Sequence, residues 1–461
     1  MPLPFRPTLA MTALLCALGG CTSTPMPTLP QAGLPGNWPA TAAAAPAPDL
    51  RHWWLQFSDP ILNGLVERAL TDNLSLAQAR LRIQQERVLL GTVDSNFLPE
   101  LHASSAGVQS ADGADSFFQF GLDATWELPL FGRKQASTRI AQAGLDSATS
   151  DGQAIRVSIV AEVVRTYVEL RTAQQQLAVQ QQVQVLEEER VRLLGERVRL
   201  GLSAASELVP VQATLDADRA ALPQRQQDIE QAAWRLAVLL GQPTLDTSLL
   251  NTAAQPVLAP FAFNALPADL LRTRPEIRSA EAAVLQAAGD LGVARADIYP
   301  NVTIGGAYIF SANITQNFIR DGDFHGTPSL APDIDLPLFD WGRRRALVHA
   351  HELALDAALT GYRQAVLEAI SEVQQALAAL NGQQARVQQE QVALHTAAHS
   401  LDASQGMRHL GLASQLDTLA EQQHQAELQL ELAEAQAGHD LAYIALYKAL
   451  GGAALPAGEG S

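Results

Sequence analysis

One plan is written twice along this chain, and that repeat constrains the fold more than any other feature. Leu90-Gly91 followed by Pro99 returns as Leu291-Gly292 followed by Pro300, and Leu76 and Ala79 return at the same offset as Ile277 and Ala280. Leu128-Pro129-Leu130-Phe131 returns as Leu336-Pro337-Leu338-Phe339, and Gly132-Arg133 as Gly342-Arg343. Leu200-Gly201-Leu202 then matches Leu410-Gly411-Leu412, and Leu240-Gly241 matches Leu450-Gly451. Most of the lengthening of the offset falls between Pro99 and Leu128, where Ser110-Ala111-Asp112-Gly113 faces a longer counterpart around Asp321-Gly322-Asp323. Extra residues are tolerated at exposed loop tips, so each interval reads as a hairpin with a variable tip.

The flanks of those tips are strand-like. Phe118, Phe120, Leu122, Ala124, Trp126 and Leu128 alternate with Gln119, Gly121, Asp123, Thr125 and Glu127, a period of two. Val302, Ile304, Gly306, Tyr308 and Phe310 make a second stripe, and Leu330, Pro332, Ile334 and Leu336 a third; His102 to Val108 carries a weaker signal. Pro332 fits an edge strand or a bulge better than a central position, because it has no N–H to give a ladder.

Elsewhere the pattern is helical. No proline lies between Gly132 and Gly201 or between Gly342 and Gly411, and an unbroken helix over either stretch reaches about 100 Å. Val373, Leu380, Val387, Leu394 and Leu401 recur every seven positions, as do Val163, Leu170 and Leu177, then Val179, Leu186, Leu193 and Leu200. Sustained heptads predict coiled-coil seams. Gln174 to Gln176 and Gln180 to Gln182 read as solvated faces. Each Leu-Gly-Leu turns the chain into a returning helix; the first return contains Pro210 and Pro223, which predicts a bend or break near Pro223. The fold class is α+β, mostly α, built on a duplicated strand-strand-helix-helix unit.

The N-terminus reads as an export signal: Arg6, then a largely apolar Leu9 to Leu18, then Leu18-Gly19-Gly20-Cys21, which resembles a bacterial lipobox. On that resemblance Cys21 is the lipidated first residue of the mature chain, and Thr22 after it implies the outer membrane. Cys16 and Cys21 are the two cysteines, which leaves the body without a disulfide framework or thiolate metal site. Residues 1–20 are a signal peptide and 21–58 a lipidated N-terminal segment. The first repeat covers 59–241: a helix, a hairpin over 100–128 and long helices over 133–240. A connector covers 242–266. The second repeat covers 267–451, with a hairpin over 301–338 and long helices over 343–450, and 452–461 is a tail.

No apolar run is long enough for a transmembrane helix, so any membrane crossing falls to strands. Four strands cannot close a barrel, and open edges are not tolerated in lipid. The supply therefore demands an oligomer in which chains share one barrel, with the Gln- and Glu-rich helices extending into the aqueous compartment.

These residues carry a family resemblance. Trp53-Trp54, Phe57, Asp59-Pro60 and Leu62, then Arg274-Pro275-Glu276-Ile277 with Ala280-Glu281, then Tyr299-Pro300 and the Leu-Pro-Leu-Phe elements, resemble TolC-like outer-membrane efflux proteins from about Trp53 to Gly451. The lipobox points to the lipoprotein branch that serves resistance-nodulation-division pumps. The resemblance implies a homotrimer with a twelve-stranded β-barrel continued by a long periplasmic α-helical barrel. It also implies two partners, a periplasmic adaptor and, through it, an inner-membrane transporter. It places Leu200, Gly201, Leu202, Leu410, Gly411 and Leu412 at the tips that meet the adaptor, and it makes Asp417 and, less directly, Glu207 candidates for a carboxylate ring at the periplasmic gate. Both acids read equally as first-turn residues favoured by the helix dipole. Relatives often carry a second aspartate three positions on, where this chain has Ala420.

Chemistry is sparse. His349 and His351 face different sides of a helix, so no metal site is expected, and no phosphate loop, cofactor site or catalytic set is present. The net charge of -17 argues against nucleic acid as a partner, and Gly342 to Arg345 reads as charge at the barrel rim. The expected function is passive export of small toxic compounds through an outer-membrane duct. The alternatives are the same architecture serving type I protein secretion, or a structural lipoprotein without a pore.

Overall fold

The structure, a computed structural model, describes Thr28 and residues 50–108, 117–258, 274–313 and 325–452. Cys21, the signal segment, both hairpin tips, the end of the connector and all but the first residue of the tail lie outside the described residues. The chain divides into two compact units. One takes Leu81–Ser150 and Arg278–Ala365; the other takes Gly33–Arg80, Asp151–Ile277 and Val366–Ser461.

The elements are α1 (Pro60–Asp72), α2 (Leu74–Thr92), β1 (Glu100–Val108), β2 (Phe117–Glu127), α3 (Arg133–Arg199) and α4 (Ala205–Leu239), then α5 (Pro275–Ala296), β3 (Asn301–Asn313), β4 (His325–Asp335), α6 (Arg343–His409) and α7 (Gln415–Ala449). Helices α3 and α6 each have 67 residues, and α4 and α7 each have 35.

In the first unit the strands form one antiparallel sheet in the order β1-β2-β3-β4, which leaves β1 and β4 with free edges. The register puts Phe120 opposite Phe310, Leu122 opposite Tyr308, Gly306 opposite Leu330 and Val302 opposite Ile334. Opposed residues share a face, so the apolar stripes expected from the sequence fuse into one apolar face. Gln119, Asp123, Thr303, Ser329 and Asp333 lie on the other. Phe118, Phe120, Leu122, Leu330 and Ile334 are all more than 40% exposed on that apolar side, so it stands uncovered among the described residues. The His102 stretch is a full strand, and Pro332 sits in β4, an edge strand of this sheet, as its missing N–H requires.

The second unit buries the helix faces. Asp59 caps α1, its Oδ1 accepting from Ile61 N at 2.8 Å and Leu62 N at 3.2 Å, and Pro60 occupies the first helical position, where no N–H is needed. Leu62, Leu65, Val66 and Ala69 are then fully buried. Asn73 separates α1 from α2: its Oδ1 accepts from Ser75 N and Leu76 N, and its Nδ2 donates to Leu239 O at the end of α4. The heptad residues Val163, Leu170, Val373, Leu380 and Leu401 are buried, with Leu177, Val179, Leu186, Leu193, Val387 and Leu394 half-buried, as coiled-coil seams require.

Two expectations change. Helix α4 runs unbroken through Pro210 and Pro223. Both prolines are exposed, so water can satisfy each carbonyl left without its N–H partner. Gln174, expected on a solvated face, is 2% exposed: its Nε2 donates to Leu249 O at 2.8 Å, because the 3₁₀ turn Thr247–Leu250 lies against it and its carbonyls need donors.

Candidate functional site

The turns between the long helices are two copies of one cap. Gly201 and Gly411 both have φ +72°, the left-handed region that glycine enters at little cost. Gly201 N donates to Val198 O at 3.0 Å and Leu202 N to Arg197 O at 2.8 Å; Gly411 N donates to Arg408 O at 2.9 Å and Leu412 N to Met407 O at 2.8 Å. This is the Schellman arrangement, in which a hydrophobic residue after the glycine is normally covered. Here Leu200, Leu202, Leu410 and Leu412 are 63 to 75% exposed. Four leucines therefore stand uncovered on paired turns.

Glu207 and Asp417 each occupy the third helical position after these turns, where an acid suits the positive end of the helix. Asp417 completes a capping box: its Oδ2 accepts from Ser414 N and Ser414 Oγ, each at 2.8 Å, while Ser414 Oγ accepts from Asp417 N at 3.2 Å. The two bonds from Ser414, the backbone one first, and the nearby positive charge of Arg197 hold the Asp417 carboxyl below the ordinary aspartate value. Glu207 reaches back to Ala204 N at 3.1 Å, but alanine has no hydroxyl to return the bond, so this box is half made. Both acids therefore serve their own helix starts, and Asp417 Oδ2, the oxygen that accepts both Ser414 bonds, is already engaged.

Further into the helices lies a cluster that the sequence hid. Glu187 and Gln423 are buried; Gln423 Nε2 donates to Glu187 Oε1, and Arg190 Nη1 donates to Gln423 Oε1 at 3.0 Å, tying α3 to α7. Gln415 Nε2 adds a bond to Glu189 Oε1 at 3.1 Å. Glu187 belongs to a run of three glutamates, which in sequence resembles a wet helix face; only packing shows which of the three turns inward.

The residues that carry the family resemblance hold the second unit together. Trp53 stacks on Tyr447, with centroids 5.2 Å and planes 17° apart, and Phe57 meets Tyr443 edge-on. Asp59 Oδ2 accepts from Tyr167 OH at 2.6 Å, and Arg171, 1% exposed, lies over the Tyr167 ring and donates to Gln174 Oε1 and Asn251 O. Burial, with the Asp59 bond adding to it, pushes the Tyr167 hydroxyl up to about 12. Arg274, 4% exposed, bonds Glu372 at 2.5 Å and Ala369 O at 3.3 Å. Buried cations paired this way anchor segments.

His349 lies 3.6 Å from Glu352, and among the described residues no group of three or more His, Cys, Asp or Glu side chains is placed to hold a metal. No described helix is long and apolar enough to cross a membrane.

Comparison with known proteins agrees with this architecture. The profile of the outer membrane efflux protein family matches residues 65–242 and 266–452. The chain is 28% identical to the pyoverdine export outer membrane protein OpmQ of Pseudomonas aeruginosa over 96% of each chain, and 28% identical to the outer membrane protein OprJ of the same species over 97% of this chain and 96% of the relative. The solved outer-membrane channel OprN superposes with a TM-score of 0.77 at 28% identity, covering 90% of this chain and 98% of that one. The chain belongs to the outer membrane efflux protein family, and it is the outer-membrane exit duct of an efflux pump.

Proposed function

We propose that the duct is a homotrimer: three copies each contribute β1 to β4 to one twelve-stranded barrel, and the long helices continue it as a periplasmic α-helical barrel. One observation supports this most. The four-stranded sheet has two free edges and an uncovered apolar face beside a polar one. In lipid such edges must be paired, and other copies of the same sheet supply the pairs. The equal lengths of α3 and α6, and of α4 and α7, support reading residues 59–241 and 267–451 as two repeats.

In this reading residues 1–20 are removed, Cys21 carries the lipid anchor in the outer membrane, and the helices project into the periplasm. The exposed leucines at 200, 202, 410 and 412, with Gly201 and Gly411, meet the helical hairpin of the periplasmic adaptor, which links the duct to a resistance-nodulation-division transporter. Asp417, and secondarily Glu207, face the closed entrance. Three such carboxylates converging on an axis repel anions and draw cations. The cargo is small toxic compounds, a reading that the toluene and solvent efflux pump relatives of Pseudomonas putida support.

Planar-bilayer conductance of the purified protein tests the duct directly: discrete channels are expected, and a preparation that makes no pore overturns it. Deleting the gene in cells that express the cognate pump is expected to sensitise them to at least one drug, dye or solvent. Mass measurement of the mature N-terminus checks the lipid on Cys21.

A further inference from the structure

The two strand-to-helix junctions share a backbone and differ in surroundings. Phe131 has φ +53° and Trp341 φ +58°, each followed by a glycine with φ near +80°. A bulky side chain in the left-handed region costs about 1–2 kcal/mol and persists where its neighbours hold it there.

For Phe131 the neighbours are visible. Its ring stacks on Tyr299, with centroids 4.7 Å and planes 15° apart, and two residues on Arg133 bonds Asp297 and lies 3.3 Å from Glu127. Phe131, Arg133, Asp297 and Tyr299 line a cavity of about 460 Å³. The first junction thus grips the loop that leads into β3, the strand opening the next repeat.

For Trp341 the described residues offer no equivalent. Its ring touches Phe339, centroids 4.8 Å apart, yet it is 90% exposed, with Phe339 75% and Leu338 85% exposed. Arg343 is exposed on the wall of that same cavity, while Arg344 turns back to its own repeat, donating to Asp297 O at 2.5 Å. The loop this junction should grip leads into a first strand, whereas the described elements after Trp341 are the helices α6 and α7. At the offset that relates Pro99 to Pro300, the counterparts of Tyr299 and Asp297 are Leu98 and Asn96. Leu98 is 58% exposed and lies just before β1, whose outer edge is free.

We propose that Trp341 and Arg343 of one copy dock on Leu98 and Asn96 of the next, repeating between chains the contact that Phe131 and Arg133 make within one. Trp341 covers Leu98, Arg343 donates to the Asn96 side-chain oxygen, and β4 meets β1 alongside. This rests on the shared-barrel reading and adds to it the side chains that set how one copy registers on the next.

Cysteine cross-linking of the full-length protein in membranes tests it. The chain's own cysteines, Cys16 and Cys21, lie in the N-terminal stretch, and single variants control for them. Leu98→Cys with Trp341→Cys, treated with a short bismaleimide, is expected to convert most of the chain to dimer and trimer bands on a denaturing gel, with neither single variant doing so. Asn96→Cys with Arg343→Cys is a second pair, in case the loss of Trp341 impairs assembly. Phe131→Cys with Tyr299→Cys should link within one chain and make no ladder. If the wild type is a trimer by native mass spectrometry and the template pair reacts, but neither inter-chain pair gives a ladder, the docking is wrong and the shared barrel stands. A wild type that is monomeric overturns both.

Discussion

Helices α4 and α7 each begin beside an exposed Leu-Gly turn and end in a buried one. At the beginnings, Leu200 and Leu410 are 63% and 75% exposed; at the ends, Leu240 and Leu450 are 1% and 2% exposed. The caps are the same: Gly241 has φ +66° and Gly451 φ +82°, and Gln242 N returns to Ala237 O as Leu202 N does to Arg197 O. The acids follow the same division. Asp417, near the start of α7, is held below its ordinary value by Ser414, whereas burial pushes Asp440, near the end, up to about 6. Local sequence makes the turn. Whether the turn closes a core or waits for a partner depends on what else packs there.

The largest expected effects test that division directly. Leu240→Ala should cost about 2–5 kcal/mol of stability through lost burial and a cavity, while Leu200→Ala should stay within about 0.5 kcal/mol. Urea midpoints measure both, and equal losses would mean that the exposed turn is covered within the chain. The glycines sharpen the contrast. A Cβ on Gly241 would sit 2.6 Å from Asp72 O, a backbone atom, whereas one on Gly201 meets nothing within 4 Å. Gly241→Ala should therefore cost about 3 kcal/mol or more, from overpacking added to the left-handed penalty, and Gly201→Ala about 1 kcal/mol from the latter alone.

Next comes the pair of aspartates. Asp440 is 3% exposed, and its folded value of about 6 lies above the unfolded value of 3.8. An acid raised in this way lowers stability wherever the unfolded chain would ionise it. The cost is absent below about pH 4, grows through pH 4 to 6 and is complete above that. Asp440→Asn should raise stability at pH 7.5 by about 2–3 kcal/mol and give no gain near pH 4. A gain that persists unchanged at low pH would show that burial of charge is not the cause. Asp417 has the opposite sign: its contribution is present above pH 3.8 and lost as pH falls through its lower folded value.

The smallest effects concern the two helix starts. Ser414→Ala should cost about 1 kcal/mol, and Ala204→Ser, which completes the half-made box with Glu207, should gain about 0.5–1 kcal/mol. Thermal melting of the two variants checks the pair. No gain from Ala204→Ser would mean that the serine rotamer does not reach Glu207 N.

Much of this was legible in the chain because its signals are local and periodic. The absence of proline and the heptad spacing marked α3 and α6, and Gly201, Gly241, Gly411 and Gly451 marked where helices stop, since left-handed geometry is a property of one residue. Phe118 to Trp126 showed a strand by alternation alone. Pro223 brought no break in α4, because the cost of a proline depends on whether its orphaned carbonyl reaches water, and that is set by exposure. Gln174 misled for a related reason: a polar residue on a helix reads as wet until another segment supplies the partner that lets it be buried.

By itself the sequence determined the elements, their order, their ends and the two-faced sheet, since each follows from the periodicity or backbone freedom of a few neighbouring residues. The tertiary structure alone decided which of four identical Leu-Gly turns is core, which of three adjacent glutamates is buried, and that Trp341 stands uncovered while Phe131 is stacked. Burial is a sum over residues distant in the chain, and no local pattern records that sum.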